Sequence, residues 1–302
     1  MKKIILMGGS GYVGLVLAKY FIEKNYEVII VARHQPKNMP SQVKFMNWDG
    51  ENLGEWAKSF ENAEVIINLA GKSVNCRYNE KNKAQIFSSR LKSTAVIGKA
   101  IQNCENPPKN WFNSSTGTIY RHAEDYHQDE NKGEKGKGFS VEVATQWEKI
   151  FNEAITPHTR KIALRMSIVF GKSGGAFPYY ARLAKYGLGG KMGKGTQRIS
   201  WVHDYDLCRC IDFLIENKHL EGAINIATPD AVTNEDFMKK LRKHYKVFFG
   251  LPSTTLMLRF GTYLLGSETE LILKSRWVYP QRLLEAGFNF EYDTVDKALK
   301  FL

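Results

Sequence analysis

Cysteine is scarce in this chain: there are four in 302 residues, Cys76, Cys104, Cys208 and Cys210. Their spacing matches neither a zinc-ligand nor a redox pattern, and Cys208-x-Cys210 falls inside a helical stretch. A disulfide scaffold and a zinc fold are excluded, and a reduced, cytoplasmic protein is expected. No His, Cys, Asp and Glu cluster has metal-ligand spacing, so no metal is expected either. No apolar run approaches the roughly 18–20 residues that span a bilayer. The first apolar stretch reads as a strand rather than a signal sequence, and no membrane is expected among the partners. Dense basic blocks are also missing. The net charge is +12, but Lys58, Lys92, Lys149, Lys218 and Lys274 are scattered, and the tightest group, Lys132 to Lys137, reads as a loop. Without an aromatic-basic recognition module, that charge predicts a solvated surface that steers anionic ligands, and no nucleic-acid partner.

What is present begins at once. Lys3-Ile4-Ile5-Leu6-Met7 is long enough for a buried strand, and it runs into Gly8-Gly9-Ser10-Gly11-Tyr12-Val13-Gly14. An amphipathic helix follows through Leu15, Leu17, Phe21 and Ile22. The pattern is G-x-G-x-x-G from Gly9 and G-x-x-G-x-x-G from Gly8. One glycine makes the tight turn, another lets backbone N–H groups approach a pyrophosphate, and a third lets helix and strand pack closely. The anion then rests on a helix N-terminus, where free N–H groups and the helix dipole favour negative charge. Between strand and helix, this turn predicts dinucleotide binding rather than a plain structural turn.

A second strand, Tyr26–Ala32, ends about twenty residues past the glycines. Folds that bind NAD place Asp or Glu there to hold the ribose hydroxyls. This chain has Arg33, followed by His34 and Lys37. A guanidinium pairs with a 2′-phosphate, which a carboxylate would repel. The expected cofactor is therefore NADP; the plainer alternative is a solvated arginine at a strand end.

Strand and helix signals then alternate. Strands fit Val43–Trp48, Glu64–Asn68, Trp111–Ser115 and Lys161–Met166, with helical patterns near Gly54–Phe60, Lys83–Gln102 and Val141–Ala154. The expected fold is α/β, a doubly wound parallel Rossmann-type sheet with a smaller C-terminal substrate lobe. Residues 1–171 form the cofactor domain, completed by roughly 201–229 through a helix at His203–Asn217 and a strand at Ala223–Ala227. The smaller lobe takes 172–200 and 230–302. Two phosphate-loop lookalikes fail. Gly171-Lys172-Ser173 has Met166 where the first glycine must be, and the Gly190/Gly195 pair is followed by Thr196 in place of lysine.

The glycine turn, Asn68-Leu69-Ala70-Gly71 closing the fourth strand, and Ser114-Ser115-Thr116 closing the fifth resemble the extended short-chain dehydrogenase/reductase superfamily. More narrowly, the chain is similar to its atypical epimerase-like branch, whose members are called nucleoside-diphosphate-sugar epimerases or cell-division-inhibitor-like proteins. Ser89-Arg90-Leu91 with Thr94, Trp147-Glu148, Gly174-Gly175-Ala176, Ser200-Trp201-Val202-His203 and Pro280-Gln281-Arg282-Leu283 extend the likeness over essentially the whole length. The resemblance implies that Gly8, Gly11 and Gly14 hold the pyrophosphate, with Tyr12 and Val13 donating backbone N–H groups. It implies that Arg33 takes the 2′-phosphate, that Leu69 and Ala70 line the adenosine and ribose side, and that Arg90 reaches the cofactor from the long helix.

The superfamily's catalytic Tyr-x-x-x-Lys pair is missing. Counting back from Trp147-Glu148, Ser140 and Ala144 stand at the tyrosine and lysine positions. The only Tyr-x-x-x-Lys is Tyr20 with Lys24 on the first helix, away from any nicotinamide. Thr116, or Ser115 if the register slips by one, fills the hydroxyl role at the fifth strand's end, and Tyr120 is a substitute acid or base near the substrate entrance. His203, Glu148, Gln197, Arg198, Trp201 and Arg165 read at least as well as packing or capping residues. Two functions follow. One is an NADP-dependent, epimerase-like oxidoreductase acting on a small-molecule substrate, with a nucleotide-linked one as an option. The other is a non-catalytic NADP-binding regulatory or interaction protein.

Overall fold

The computed structural model describes residues 1–302. Six strands come first: β1 (Lys3–Met7), β2 (Glu27–Ala32), β3 (Lys44–Asn47), β4 (Val65–Asn68), β5 (Asn110–Thr116) and β6 (Arg160–Met166). Short strands β7 (Ile168–Gly171), β8 (Gly174–Gly175), β9 (Arg198–Ile199) and β10 (Trp201–His203) follow, then β11 (Gly222–Ile226) and β12 (Val232–Thr233). The main sheet has seven strands in the order β11-β6-β5-β4-β1-β2-β3. Every neighbouring pair in it is parallel.

The continuous apolar runs explain that sheet. Side chains alternate across a strand, so a strand buried on both faces reads as unbroken hydrophobic sequence. Ile4 and Leu6 of β1, Val28 and Ile30 of β2, and Val65 and Ile67 of β4 face one core cluster. Ile5, Met7, Ile29, Val31 and Ile66 face the other. Helices α1 (Tyr12–Glu23) and, later, α5 (Asp204–Glu216) cover the first face with Leu17, Phe21, Leu207 and Leu214. Helices α2 (Glu80–Gln102) and α3 (Phe139–Glu153) cover the second with Ile97, Ile101 and Phe151. The doubly wound sheet expected from the alternation is present, with strand ends within a residue of expectation. The segment expected as a helix at Gly54–Phe60 is a 3₁₀ turn, Glu55–Phe60, long enough only to bury Trp56 and Phe60.

The remaining helices are α4 (Phe177–Lys185), α6 (Asn234–His244), α7 (Thr255–Leu264), α8 (Glu270–Leu273), α9 (Gln281–Glu285) and α10 (Val295–Ala298). A third core cluster, centred on Phe170, Phe177, Trp201 and Phe237, joins α4, α6 and α10. Phe170 stacks between Trp201 at 5.4 Å and Phe237 at 5.3 Å. From the tail, Leu283 and Phe288 return to the first cluster, against α5. Strand order reverses between β1 and β4, and at such a switch point the strands' carboxyl ends open a crevice.

Candidate functional site

The glycine turn sits at that crevice. Gly8 has φ +69°, and a Cβ on it would lie 2.6 Å from the Ala70 Cα, so turn and β4 end touch backbone to backbone. A Cβ on Gly14 would lie 2.2 Å from the Gly9 carbonyl oxygen, which accounts for the glycine where helix meets turn. Gly11 is different. Its φ is −83°, and a Cβ there meets nothing within 4 Å. Nothing internal requires a glycine at that position; the open space lies on the cavity wall. No side chain caps α1. The first bond into the helix is Leu15 N–H to Gly11 O, so the N–H groups of Tyr12, Val13 and Gly14 precede the ladder.

Tyr12 sends its side chain away from the crevice. Its hydroxyl donates to Asp204 Oδ2, and its ring lies on Gly171 and Gly174. Burial, with the Asp204 bond next, raises its pKa. Tyr12 thereby ties the turn to α5 and to the β7–β8 hairpin.

Two adjoining cavities extend from the turn. The outer one, about 610 Å³, is lined by Gly8, Ser10, Gly11, Arg33, Asp49 and Ser89 among others. The inner one, about 360 Å³, runs past Val13 to the ends of β5 and β6. Leu69, Ala70, Gly71, Lys72 and Ser73 line both. Asn68 shapes this shared rim: its Oδ1 accepts the Ala70 N–H at 3.0 Å, and its Nδ2 donates to Asn113 Oδ1 at 2.7 Å. Arg33 is exposed on the outer wall, and only its backbone is engaged, by Asn47. Arg90 lies 5.1 Å over the Trp147 ring and donates to the carbonyls of Lys72 and Ile86. Burial without a carboxylate partner lowers its pKa to about 10. A desolvated guanidinium in a cavity wall favours an anion there.

Both hydroxyls that the sequence left as alternatives line the inner cavity, and their hydrogen bonds differ. Ser115 donates to Glu148 Oε1 at 2.7 Å. Glu148 is held by both ends of Arg165, each at 2.8 Å. Thr116 lines the inner cavity, its Oγ1 accepts from Thr118 N–H at 3.1 Å, and its own proton is uncommitted. Ser114, on the same face of β5, has a buried hydroxyl with no partner and lines the same cavity.

Tyr120 is placed elsewhere. It is 3 % exposed and outside both cavities, its hydroxyl held between Arg165 and Asn225 at 2.9 Å each. Ala144 packs against it in a small apolar cluster. Tyr20 and Lys24 both engage Asp212 on α5. His203 caps α5 by accepting the Tyr205 N–H.

The inner cavity contains a phenol that sequence reasoning missed. Tyr78 lines it, packs on Phe139 at 4.9 Å, and has a pKa raised chiefly by burial. Ser140, at the vacated tyrosine position, lines it too and donates to Glu270 Oε2. Lys274 also approaches from the tail, donating to the Thr118 carbonyl at 2.8 Å. The available signal for Tyr78 was local: Asn79 caps α2, which places Tyr78 just before a helix start beside the β4 end.

Residues 4–227 match the NAD dependent epimerase/dehydratase family. The chain belongs to that family. Residues 255–302 match a domain of unknown function, DUF1731. Human epimerase family protein SDR39U1 is 28% identical over 305 residues, covering 99% of this chain and 98% of the relative. The Bacillus subtilis epimerase family protein YfhF is 28% identical over 301 residues, covering 99% and 97%. The crystal structure of human SDR39U1 (isoform2) with NADPH superposes with a TM-score of 0.87 at 25% identity, over 99% of this chain and 98% of that one. A nucleoside-diphosphate sugar epimerase from Corynebacterium glutamicum gives 0.78 at 25% identity, over 99% of this chain and 57% of that one. The atypical epimerase-like resemblance read from the motifs is therefore met.

Proposed function

We propose that this member of the family binds NADP(H) across the two cavities and uses it, as NADPH to reduce or as NADP+ to oxidise, on a small polar substrate in the inner one. The observation that carries this is the uncapped α1 N-terminus at Gly11, open toward a cavity whose other wall carries the unpartnered Arg33. The residues fit the cofactor: Gly8 and Gly14 admit no Cβ, Gly11 leaves room, and Arg33 and Arg90 are cations without counter-ions. The NADPH bound by human SDR39U1 supports the same reading.

The turn's N–H groups and Arg33 bind the phosphates, and Leu69 and Ala70 form the floor between the cavities. The cofactor, when bound, supplies or accepts a hydride. Thr116 donates its free hydroxyl proton toward a substrate oxygen as charge develops there. Tyr78, kept neutral by burial, is the phenol available to give a proton in the same cavity. A nucleotide-linked substrate finds its cations in Lys72 and Arg90 at the shared rim.

The second reading, an NADPH-binding regulatory protein without turnover, is favoured by Ala144 and by the enclosed Tyr120, which leave no Tyr/Lys pair at its usual place. Calorimetric titration with NADPH and NADH tests the cofactor assignment, with NADPH expected to bind more tightly. Arg33→Asp should weaken NADPH by about 1–3 kcal/mol and NADH much less. Equal affinities in the parent protein would end the assignment. Single-turnover NADPH oxidation across nucleotide sugars and simple carbonyl compounds separates enzyme from regulator.

A further inference from the structure

The tail helix α7 packs Leu258 on the third core cluster and presents its other large hydrophobic residues to the outside. Of its ten residues only Thr262 is buried, while Leu256, Met257, Phe260, Tyr263 and Leu264 are all more than half exposed. Leu256, Phe260, Tyr263 and Leu264 follow the i, i+4, i+7, i+8 spacing of a single helical face, and Met257 borders it at i+1. The preceding loop adds Phe248, fully exposed, and Phe249, and Phe249 lies against Gly187 beside the exposed Tyr186 and Leu188. Single exposed apolar residues need no explanation, but a cluster beyond the roughly 300–600 Å² found on ordinary monomers marks an interaction face. A half-exposed aromatic ring alone leaves about 100 Å², so the rings and leucines here exceed that range.

The charge around the face identifies what covers it. No Asp or Glu occurs between Glu153 and Asp204, or between Asp236 and Glu268, and these two stretches supply α4, the end of α6, the loop and α7. Arg182, Lys185, Lys239, Lys243, Lys246 and Arg259 lie in them. None of these six pairs with a carboxylate, whereas Lys240 beside them meets Asp236 and Asp296, and Lys185 lies over the Tyr245 ring. A second copy of this chain would bring cation to cation across the apolar contact. A nucleic acid would satisfy the cations but leave the aliphatic Leu256, Met257 and Leu264 against a hydrated backbone. An anionic lipid surface satisfies both sets: headgroups take the lysines and the acyl boundary takes the leucines and phenylalanines.

We propose that α7 and the Lys246–Leu251 loop form a docking face for an anionic bilayer surface. No membrane was expected from the sequence because no run is long enough to span, and no helix of the structure is either. A face lying in the interface plane needs no span.

Flotation of the full chain with vesicles tests this. Vesicles of equimolar phosphatidylcholine and phosphatidylglycerol should carry the protein, pure phosphatidylcholine should not, and high salt should release it. Phe248→Ser with Phe249→Ser, and separately Lys243→Glu with Lys246→Glu, should each lower the bound fraction at least about tenfold. NADPH affinity and the circular dichroism spectrum should be unchanged in both, since neither pair touches the cofactor cavities. Failure to float with the anionic vesicles overturns the proposal, as does equal binding to neutral ones. So does a dimer in sedimentation equilibrium that the phenylalanine pair abolishes, or retention of an oligonucleotide that the lysine pair abolishes.

Discussion

At the scale of residues, Gly11 differs from its neighbours in that nothing in the fold requires a glycine there. Gly8 and Gly14 are required by the fold, since a Cβ on either would strike backbone. At Gly11 a Cβ meets open space at an ordinary φ, so Gly11→Val should fold normally, with an unchanged melting temperature, and fail to bind NADPH by calorimetry. Retained binding would make the glycine turn purely structural. Thr116 carries the second prediction. If the protein is an enzyme, Thr116→Val should lower kcat about a hundred- to a thousandfold while leaving NADPH affinity nearly intact. Tyr20→Phe and Lys24→Ala should leave kcat unchanged, because both side chains are engaged at Asp212 on the α1–α5 contact. Normal turnover in Thr116→Val would remove the hydroxyl from the mechanism.

At the scale of elements, the C-terminal segment closes over the site. Ser267 bonds Asn75, Glu268 accepts the Tyr78 N–H, and Leu271 of α8 lines the inner cavity. Lys274, the C-cap of α8, donates to the Thr118 carbonyl and is buried there, and desolvation lowers its pKa from 10.5 to about 8. Between pH 8 and 10.5 the unfolded chain holds a proton that the folded chain lacks. Unfolding free energy from this residue should therefore rise with pH across that window and stay flat below it. Denaturant titrations of the parent and Lys274→Met should diverge there by something on the order of 1–3 kcal/mol. Parallel pH profiles would mean that the lysine is solvated. The same elements explain a limit of the sequence reading. Strand positions were legible because both faces of the sheet are buried, whereas the partners of α8 lie some 150 residues away along the chain.

At the scale of the whole molecule, the +12 charge acts as a field. On the proposed reading NADPH, an anion, enters a cleft whose rim carries Arg33 and Lys72 beside Asp49 and Glu51, and the chain's excess of positive charge should steer its association electrostatically. Stopped-flow binding should show kon falling several-fold between about 0.05 and 0.5 M salt, with koff changing little. A salt-independent kon would mean that the charge lies too far from the cleft to matter. The site also depends on contacts that cross the whole chain. Tyr12 reaches Asp204, and Asp206 accepts the Tyr292 N–H, so the glycine turn, α5 and the tail brace one another.

The sequence by itself determined the sheet, the glycine turn at its first crossover and the arginine after β2. Each rests on local physics: period-two burial, a turn only glycine can make, and a strand end at a set distance. Tertiary structure decided the rest. All three hydroxyls at the β5 end line the cavity, and tertiary contacts set them apart: Ser115 spends its proton on Glu148, while those of Thr116 and Ser114 are uncommitted. Arg165 donating to the Tyr120 hydroxyl, and Asn225 accepting from it, enclosed Tyr120, although its place just past β5 had suggested an acid at the substrate entrance. Packing of the loop after β4 on Phe139 brought Tyr78 into the same cavity, and α7 kept most of its apolar residues outside because only Leu258 and Thr262 turn inward. These outcomes depend on side chains far apart in sequence meeting at one place, and no local pattern encodes such a meeting.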